Sequence, residues 1–407
     1  MIITLLWCLF WGIAGLLSFF LVLPFLSTVA GLLVEEDGFV KMLKGHKIKS
    51  YDYANIITAY RNVEIAKPLV QSLINQTHSN HHIYLVADNA DVSNWNISHE
   101  KLTILKPETG LNLKVRSIIY AVERFVRSHQ YTVIWDADNL AHPQFLEYIN
   151  YSASAGYRAI QGQRTAKNLD TKIAAADALG EFYKNYIERF LPPRLGSSTV
   201  ISGSGMAIEQ SLYNSYLYSD EIQKGQFLWK KMMQEDKILQ NHIIWQGEQI
   251  VYQKEAICYD EKVSDAAQVE TQRSRWLYSY FQNLPNSTGF VLKGLLTINW
   301  NTFFFGLITV SPPLFIMVGL SGLVFLLGLY FNWHISVLIT VSGLIFVGTI
   351  FWTLHLSNAP KAVFDSLKAI PIFVFKQFKA LFKMANPNKN FVHSEHKVKV
   401  SIDEVLK

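Results

Sequence analysis

Two long stretches of this chain carry no Asp, Glu, Lys or Arg: residues 1–34 and residues 294–360. A helix that crosses the hydrocarbon core of a bilayer, about 30 Å thick, needs about 20 consecutive apolar residues and satisfies its backbone internally. The first stretch is long enough for one such helix, which we predict at residues 4–25. A cleaved signal peptide is the alternative, but the stretch lacks a basic start and its apolar run is too long.

The second uncharged stretch is long enough for two spans with an interfacial segment, or for three closely joined spans. Basic residues follow both stretches: Lys41, Lys44, Lys47 and Lys49 after the first, and Lys361, Lys368, Lys376, Lys379 and Lys383 after the second. Because positive flanks stay in the cytoplasm, the number of C-terminal spans must be even. We therefore predict two spans, at residues 312–331 and 335–354, joined by the turn "NWH".

Two further segments have the composition of interfacial helices. The segment "LLTINWNTFFFGL", at residues 295–307, is predicted to lie at the membrane surface. In residues 361–383, phenylalanines and lysines alternate at helical spacing, which predicts an amphipathic helix broken at Pro371. The net charge of +5 is modest, and the lysines adjoin the predicted spans, so we expect contacts with anionic lipid and none with nucleic acid.

The chain of 407 residues is thus predicted to have four parts. Residues 1–34 form an N-terminal transmembrane segment, and residues 35–290 form a cytoplasmic globular domain. Residues 291–360 hold the interfacial segment and two transmembrane helices, and residues 361–407 form a cytoplasmic amphipathic helix and tail. The two cysteines, Cys8 and Cys258, indicate no disulfide framework.

Strand-like and helix-like runs alternate in the globular domain. Apolar strands are predicted at residues 55–60, 82–89, 102–105 and 131–139, with helices at residues 66–76 and 114–126. This alternation predicts an α/β fold whose sheet is mostly parallel, with helices on both faces. Ligands of such sheets bind at the carboxyl ends of the strands, where Asp88, Asp136 and Asp138 are expected.

Two short acidic motifs have a chemical use. In "DAD", at residues 136–138, two carboxylates on an extended segment can share Mg²⁺ or Mn²⁺ together with phosphate oxygens, although most such triplets are solvated turns. In "QEDKILQ", at residues 234–240, Glu235 and Asp236 open a predicted helix. Acidic residues there stabilise the helix dipole, and one of them could also serve as a general base.

The order of the motifs resembles a known family. Asp88 is followed by "DAD", "SGSGM" at residues 202–206, "ED" at residues 235–236 and "QRSRW" at residues 272–276. This set resembles the membrane-bound family 2 glycosyltransferases, the group of cellulose, chitin-oligosaccharide and hyaluronan synthases and of many bacterial polysaccharide enzymes. The resemblance covers about residues 52–280. It implies a GT-A type domain that binds a nucleotide sugar, in a multi-pass protein of the plasma (inner) membrane with its catalytic domain in the cytoplasm.

The resemblance also implies roles for individual residues. The UDP-sugar donor would be bound by Ala59, Tyr60, Asp88, Lys114, Asp136, Gln272 and Arg275. Asp138, with Asp136, would hold Mg²⁺ or Mn²⁺. Asp236 would be the catalytic base, beside Glu235, and Trp276 would contact the acceptor.

Three positions weaken or limit these assignments. Leu113 stands where the family usually has Gly before the lysine, and Gln234 stands where it often has Thr. Trp276 could instead anchor the chain at the membrane interface, where tryptophan is enriched. The remaining arginine of the motif, Arg273, has no assigned role.

The chemistry implied is a single inverting displacement. Asp236 would accept the proton of the attacking hydroxyl while the diphosphate leaves from the opposite face of the sugar. Fixed positive charge on Arg275, on Lys114 and on the metal would stabilise the negative charge that grows on the leaving oxygens. An indole face such as that of Trp276 suits the apolar face of a sugar ring.

The sequence is compatible with three hypotheses for the function. The first is the extension of a polysaccharide or oligosaccharide; three spans make a poor conduit for such a chain unless an export partner or self-association adds more. The second is transfer of one sugar to a lipid, as in ceramide glucosyltransferases, and the third is a non-catalytic membrane scaffold. A transporter is disfavoured, because the uncharged stretches hold no ionisable side chain beyond His334 and His355 near their ends.

Overall fold

The structure is a computed structural model that describes residues 2–34, 47–228, 234–263, 266–369 and 400–406. Its globular part is built on one sheet of eight strands, in the order β3-β2-β1-β4-β7-β6-β8-β5. The strands are β1 (Tyr53–Tyr60), β2 (His81–Asp88), β3 (Leu102–Leu105), β4 (Tyr131–Asp136), β5 (Leu140–Ala141), β6 (Ala159–Ala166), β7 (Met206–Glu209) and β8 (Ile250–Asp260).

Fifteen α-helices are described, with two 3₁₀ turns, Glu64–Ala66 and Leu367–Ala369, and one π-helical segment, Asn185–Phe190. Helix α1 (Ile2–Leu33) precedes the globular part. The helices of the globular part are α2 (Lys67–Ile74), α3 (Lys114–Val122), α4 (Phe145–Ser154), α5 (Lys172–Lys184), α6 (Leu191–Arg194), α7 (Gln210–Leu217), α8 (Asp220–Leu228) and α9 (Glu235–Trp245). The helices that follow it are α10 (Ala266–Leu296), α11 (Trp300–Val310), α12 (Leu314–Phe331), α13 (Trp333–Leu356), α14 (Lys361–Ser366) and α15 (Ile402–Val405).

The first half of the sheet is parallel, as the alternation of strands and helices predicts. Strand β1 lies between β2 and β4 and is parallel to both, and β3 is parallel to β2. Helices cover both faces. Ile56 of β1 packs in one apolar core with Ile118 of α3, whereas Ile57 packs in a second core with Leu69 of α2. Successive side chains of a strand point to opposite faces, so a strand covered on both sides is apolar throughout.

The second half of the sheet is mixed. Strand β7 is antiparallel to β4 and β6, and β5 is antiparallel to β8, while β6 and β8 are parallel. Four of the seven strand pairings are therefore parallel, which agrees with the prediction of a mostly parallel sheet. The antiparallel strand β7 was not predicted. It directly follows "SGSGM" and places that loop beside the end of β4.

Within the residues that the structure describes, three helices are long and apolar enough to cross a membrane: α1, α12 and α13. Their number and positions agree with the sequence prediction, and Asn332 separates α12 from α13 within the predicted turn. The first helix continues to Leu33, beyond the predicted end at residue 25, and contains Pro24 in its interior. Leu17 of α1 packs against Val324 of α12 and Ile339 of α13, whereas many other leucines of these helices are exposed.

The segment predicted to lie at the membrane interface, residues 295–307, forms the end of α10, a turn and most of α11. These two helices pack against each other as a hairpin, with Phe290 of α10 against Phe305 of α11. Trp300 ties the hairpin to the globular part, because its Nε1 donates to Leu195 O at 2.6 Å. Of the predicted amphipathic helix at 361–383, α14 and a 3₁₀ turn occupy residues 361–369, and the rest, including the break at Pro371, lies outside the described residues.

An ion pair between the buried Asp52 and the partly exposed Arg127 joins the start of β1 to the segment before β4, at the end of the sheet opposite Asp88. Asp52 Oδ2 accepts a hydrogen bond from Arg127 Nε at 2.6 Å, and Asp52 Oδ1 lies 3.0 Å from His129 Nδ1. Burial alone would raise the pKa of Asp52. The hydrogen bonds from His129 and Arg127 outweigh burial and lower this pKa to about 2.

We expect Asp52→Asn to lower the free energy of unfolding at pH 7 by about 1 kcal/mol. Each pKa unit corresponds to roughly 1.4 kcal/mol, and solvent screening at the partly exposed Arg127 reduces the effect of the lowered pKa. The folded-state pKa lies below the ordinary value, so the stabilisation is complete above pH 4 and disappears as the pH falls towards 2. Thermal unfolding of the wild type and the variant between pH 3 and pH 7 measures this. A difference that did not shrink below pH 4 would assign the effect to packing.

Candidate active site

The carboxyl ends of three parallel strands bring several predicted residues to one edge of the sheet. Tyr60 at the end of β1 is in register with Asp88 at the end of β2. Asp136 at the end of β4 is in register with Thr58, two residues before Tyr60. Ala59, between Thr58 and Tyr60 on β1, is buried. This edge is where a doubly covered parallel sheet binds its ligands.

Asp88 organises the loop between β3 and α3. Its Oδ1 accepts a hydrogen bond from Leu111 N and its Oδ2 accepts one from Asn112 N, both at 2.8 Å. The hydroxyl of Tyr60 donates to Asn112 Oδ1 at 3.2 Å. A cleft of about 300 Å³ adjoins this loop, and eight residues line it: Ala87, Asn89, Ala90, Asp91, Lys106, Pro107, Glu108 and Gly110. Asp88 thus sets the shape of the loop that precedes Lys114.

Lys114 is the central cation of the edge. It begins α3, and its Nζ donates to Asp136 Oδ1 at 2.6 Å and to Gly203 O at 2.9 Å. Glu235 Oε1 lies 4.0 Å from the same nitrogen. Burial alone would lower the pKa of Lys114, but the carboxylates of Asp136 and Glu235 outweigh it and raise this pKa. The lysine therefore stays charged, pairs with Asp136 of β4 and lies beside Glu235 at the start of α9.

The two acidic residues that open α9 have different surroundings. Burial raises the pKa of the Glu235 carboxyl to about 7; the charge of Lys114 opposes the rise and that of Asp236 adds to it. The backbone carbonyl of Glu235 accepts a hydrogen bond from Tyr216 at 2.8 Å, which fixes the start of the helix. Asp236 Oδ1 accepts from the backbone of Lys237 at 2.9 Å. Glu235 thus keeps its proton up to about neutral pH, and the carboxyl of Asp236 lies beside it.

The loop "SGSGM" lies between Lys114 and Asp236. Gly203 has a φ of +86°, a conformation that glycine adopts without strain, and a Cβ at this position would lie 3.7 Å from Asp236 Cβ. Gln161 of β6 holds the loop, because its Oε1 accepts from Ser202 N at 2.9 Å and its Nε2 donates to Ser204 O at 3.1 Å. The carbonyl of Gly203 is thereby aimed at Lys114.

The turn that contains Asp138 is fixed by neighbouring polar groups. Asp136 N donates to Asn139 Oδ1 at 3.0 Å, and Asp138 O accepts from Lys167 Nζ at 2.9 Å. Asp138 itself is buried. Within the described ranges, no three or more His, Cys, Asp or Glu side chains are grouped to hold a metal ion. Two carboxylates, completed by diphosphate oxygens and water, are nevertheless a donor set that suits Mg²⁺ or Mn²⁺.

The motif "QRSRW" lies on α10. Arg273 makes an ion pair with the buried carboxylate of Asp177 on α5, and its guanidinium lies 4.6 Å from the centre of the Trp276 ring. Lys184, at the end of α5, has its Nζ 5.8 Å from the same ring. The Trp276 side chain is 44% exposed. Arg273, for which the sequence predicts no role, therefore fastens α10 to α5 and orients the indole.

Gln272 and Arg275 of this motif are more enclosed than Trp276. Burial lowers the pKa of the Arg275 guanidinium. Gln272 has a buried Oε1 that accepts no hydrogen bond within the described part of the chain. One further contact connects α10 to the acidic pair, since Ser279 Oγ donates to Gln234 Oε1 at 3.0 Å, directly before Glu235. The structure thus brings Lys114, Asp136, Glu235 and Asp236 into one group and places "QRSRW" on a helix that is bonded to the same segment.

Sequence reasoning missed the residues that support this group. Gln161 and Arg164 belong to the polar end of β6, "QGQR", where alternation of polar and apolar residues stops. Arg164 donates to Ser202 O at 2.6 Å and to Asp260 Oδ2 at 2.5 Å. Polar residues at the end of a buried strand are a signal for such a role, but their partners are about 40 to 100 residues away and cannot be read from the sequence.

A sequence profile described as "Glycosyltransferase like family 2" matches residues 52–279, more than half of the chain. Similar solved structures include S. aureus TarS, with 12% identity, a TM-score of 0.36, and coverage of 54% of this chain and 38% of TarS. They also include S. aureus TarS 1-349 in complex with UDP, with 12% identity, a TM-score of 0.33, and coverage of 54% and 63%. The matched region thus spans less than two thirds of each of these structures. No curated protein matches the chain in sequence.

Proposed function

Because the chain belongs to the glycosyltransferase-like family 2, we propose that it moves a sugar from a UDP-sugar to a growing polysaccharide or oligosaccharide, with inversion at the anomeric carbon. The observation that carries this proposal is the group of Lys114, Asp136, Glu235 and Asp236 at the carboxyl edge of the sheet. It offers a fixed cation for a diphosphate beside a carboxylate for a hydroxyl proton. Among the subgroups of the family, the membrane-bound synthases have the same order of motifs as this chain.

The donor would lie along the edge formed by β1, β2 and β4. Ala59, Tyr60 and Asp88 would face the uracil, beside the loop that Asp88 shapes. Lys114 would approach the diphosphate, and Asp136 would contact the nucleotide sugar. Gln272 and Arg275 would close the site from α10. A buried amide oxygen on Gln272 that accepts no hydrogen bond within the described residues is consistent with a polar ligand at that position.

The base would be Asp236. In the proposed reaction it accepts the proton of the attacking hydroxyl, and the bond from the anomeric carbon to the diphosphate oxygen breaks on the opposite face of the sugar. Glu235 would keep its proton below pH 7 and, with Lys114, would hold the start of α9 against β4. Positioning of this kind matters because a base acts only within hydrogen-bond reach of the proton it removes.

Asp136 and Asp138 would hold Mg²⁺ or Mn²⁺ with oxygens of the diphosphate. A divalent cation there would supply Lewis-acid stabilisation of the leaving group. The protein's own contribution is the turn after β4, which is held by hydrogen bonds to Asn139 and Lys167 and keeps the two carboxylates at the end of that strand.

The acceptor would contact Trp276, whose ring is partly exposed and oriented by Arg273. A second candidate, transfer of a single sugar to a lipid, is favoured by the small number of candidate spans among the described residues, because α1, α12 and α13 offer little room for a growing polysaccharide. An export partner or self-association would supply more room. A non-catalytic scaffold is disfavoured because both acidic motifs are retained.

We place the protein in the plasma (inner) membrane as a multi-pass protein with its catalytic domain in the cytoplasm. This proposal is supported by the three apolar helices and by the lysines that flank them. Contacts with anionic lipid would follow from the same lysines.

The proposal is tested with the full chain in membranes, incubated with UDP-glucose, UDP-galactose, UDP-N-acetylglucosamine or UDP-glucuronate and with Mg²⁺ or Mn²⁺. UDP release with at least one donor, dependent on the divalent cation, is expected. Sizing of the product then separates the two candidates, since a ladder of lengths indicates polymer extension and one glycolipid band indicates single transfer. Absence of UDP release with every donor would overturn the proposal.

A further inference from the structure

A second cleft lies between α8, α9 and α10, on the face of α9 that turns away from Gly203. It has a volume of about 290 Å³, close to the lower limit of about 300 Å³ for small-ligand pockets. Five side-chain amides line it: Gln234, Asn241, Gln282, Asn283 and Asn286. A side-chain amide both donates and accepts hydrogen bonds, as a sugar hydroxyl does. Such a lining therefore suits a polyhydroxylated ligand.

One of these amides has an unsatisfied acceptor. Asn241 is 5% exposed, and its Nδ2 donates to Asn283 Oδ1 at 2.7 Å. Asn283 Nδ2 donates in turn to Ser287 Oγ at 3.1 Å. The Oδ1 of Asn241 is buried and accepts no hydrogen bond from any described residue. A buried acceptor in this state is unfavourable, and a hydrogen bond donated by a ligand hydroxyl in the cleft would satisfy it.

The charges around the cleft do not favour a simple ion. Lys224, which lines the cleft, is paired with Asp220 at 3.1 Å. Lys237 and Glu221 also line the cleft and carry opposite charges. With the charged groups largely balanced, the amides dominate the recognition chemistry. A neutral sugar unit fits this balance better than a free phosphate does.

The position of the cleft connects it with the acceptor side of the site. Gln234 directly precedes Glu235 and accepts a hydrogen bond from Ser279 of α10. Along α10, Gln282 follows Trp276 by six residues, which is about 9 Å of helix. Asp236 lies on the other side of α9, against Gly203. The cleft is thus separate from the reacting centre but borders the same two helices.

We propose that this cleft binds a sugar unit of the acceptor other than the one that reacts, with Asn241 Oδ1 accepting one of its hydroxyls. The assignment to the acceptor rests on the proposed transferase function, whereas binding of a saccharide in the cleft does not. An acceptor held at a second point along α10 keeps its position while its reacting end is at Trp276. The cleft would accordingly favour acceptors of two or more sugar units over monosaccharides.

The test uses the full chain in a sugar-free detergent, with cellobiose, N,N′-diacetylchitobiose and maltose as probes. Binding is measured by saturation-transfer NMR for the wild type and for the double variant Gln282→Ala, Asn286→Ala. Thr288→Ala is the matched control, because Thr288 is an exposed residue of α10 outside the cleft. We expect one probe to bind the wild type and the control equally and the double variant at least about 5-fold more weakly, since each lost hydrogen bond costs about 1 kcal/mol.

The outcomes separate this proposal from the proposed function. Equal binding to the double variant, or no binding of any probe to the wild type, would overturn the saccharide site. If a probe binds as expected but no UDP-sugar is consumed, the site stands and the transferase proposal fails. If transfer occurs, the double variant is expected to raise the apparent KM for a disaccharide acceptor about 5-fold. It should leave the KM for the donor and the rate of UDP release without acceptor unchanged.

Discussion

Asp236→Asn is expected to reduce sugar transfer by about 10²–10⁴-fold in kcat, since a positioned general base contributes that much. UDP affinity should stay within about twofold of the wild type, because the substitution keeps the shape of the side chain and no donor contact is assigned to it. Asparagine can still accept a hydrogen bond from Lys237 N, as Asp236 does at 2.9 Å, so α9 should begin as before. The measurements are UDP release under saturating donor and equilibrium binding of UDP.

The neighbouring variant Glu235→Gln is the matched control for this experiment. It removes a carboxyl whose pKa is raised to about 7 and which lies 4.0 Å from Lys114, but it leaves Asp236 intact. We expect it to retain more transfer activity than Asp236→Asn. The reverse order, with normal transfer by Asp236→Asn and loss in Glu235→Gln, would move the base from Asp236 to Glu235.

The parts of the fold that the sequence predicts are those governed by local patterns. Strands β1 to β4 and helices α2 and α3 lie within a few residues of their predicted positions, because apolar runs bounded by polar residues determine them. Asp88 and Asp136 meet at one edge because parallel strands share a direction. The three apolar helices follow from length and composition alone. The roles of individual site residues remain predictions.

The parts that the sequence does not predict depend on contacts between distant residues. Arg273 pairs with Asp177 across 96 positions of sequence, and Gln161 holds Ser202 across 41. Neither pairing follows from any periodicity, since each depends on which elements the tertiary fold brings together. Strand β7 is a short apolar run whose antiparallel direction is set by the path of "SGSGM", which no local pattern specifies. For the same reason the amide-lined cleft becomes visible only when α8, α9 and α10 are assembled.

Electrostatics explains why Lys114 and Asp236 should be separable in experiments. Lys114 bonds to Asp136, from β4, and to the carbonyl of Gly203, which lies beside Asp236. Its charge balances carboxylates that would otherwise repel a diphosphate. Asp236 is assigned no contact with the donor. Its proposed role, removal of the proton from the attacking hydroxyl, begins only when the acceptor is in place. Lys114 should therefore govern donor binding, and Asp236 should govern the chemical step.

Lys114→Met is accordingly expected to weaken UDP binding by at least about 10-fold and to lower kcat/KM for the donor by about 10²–10³-fold, since fixed charges of this kind each contribute several kcal/mol. Methionine retains the apolar stem but leaves Asp136 and Glu235 without their shared cation. The pKa of Glu235 should then rise further, because Lys114 now holds it down. UDP binding by calorimetry and donor kinetics measure the effect.

Lys101→Met is the matched control for Lys114→Met, because Lys101 lies at the opposite end of the sheet and its Nζ donates only to the carbonyl of Ser79, at 2.8 Å, among the described hydrogen bonds. It should bind UDP as the wild type does. Thermal unfolding of both variants shows whether the fold is retained, and Lys114→Arg should restore part of the donor affinity by restoring the charge. Unchanged UDP affinity in a folded Lys114→Met protein would contradict the assignment of Lys114 to the diphosphate and would leave Arg275 as the cation that the leaving group meets.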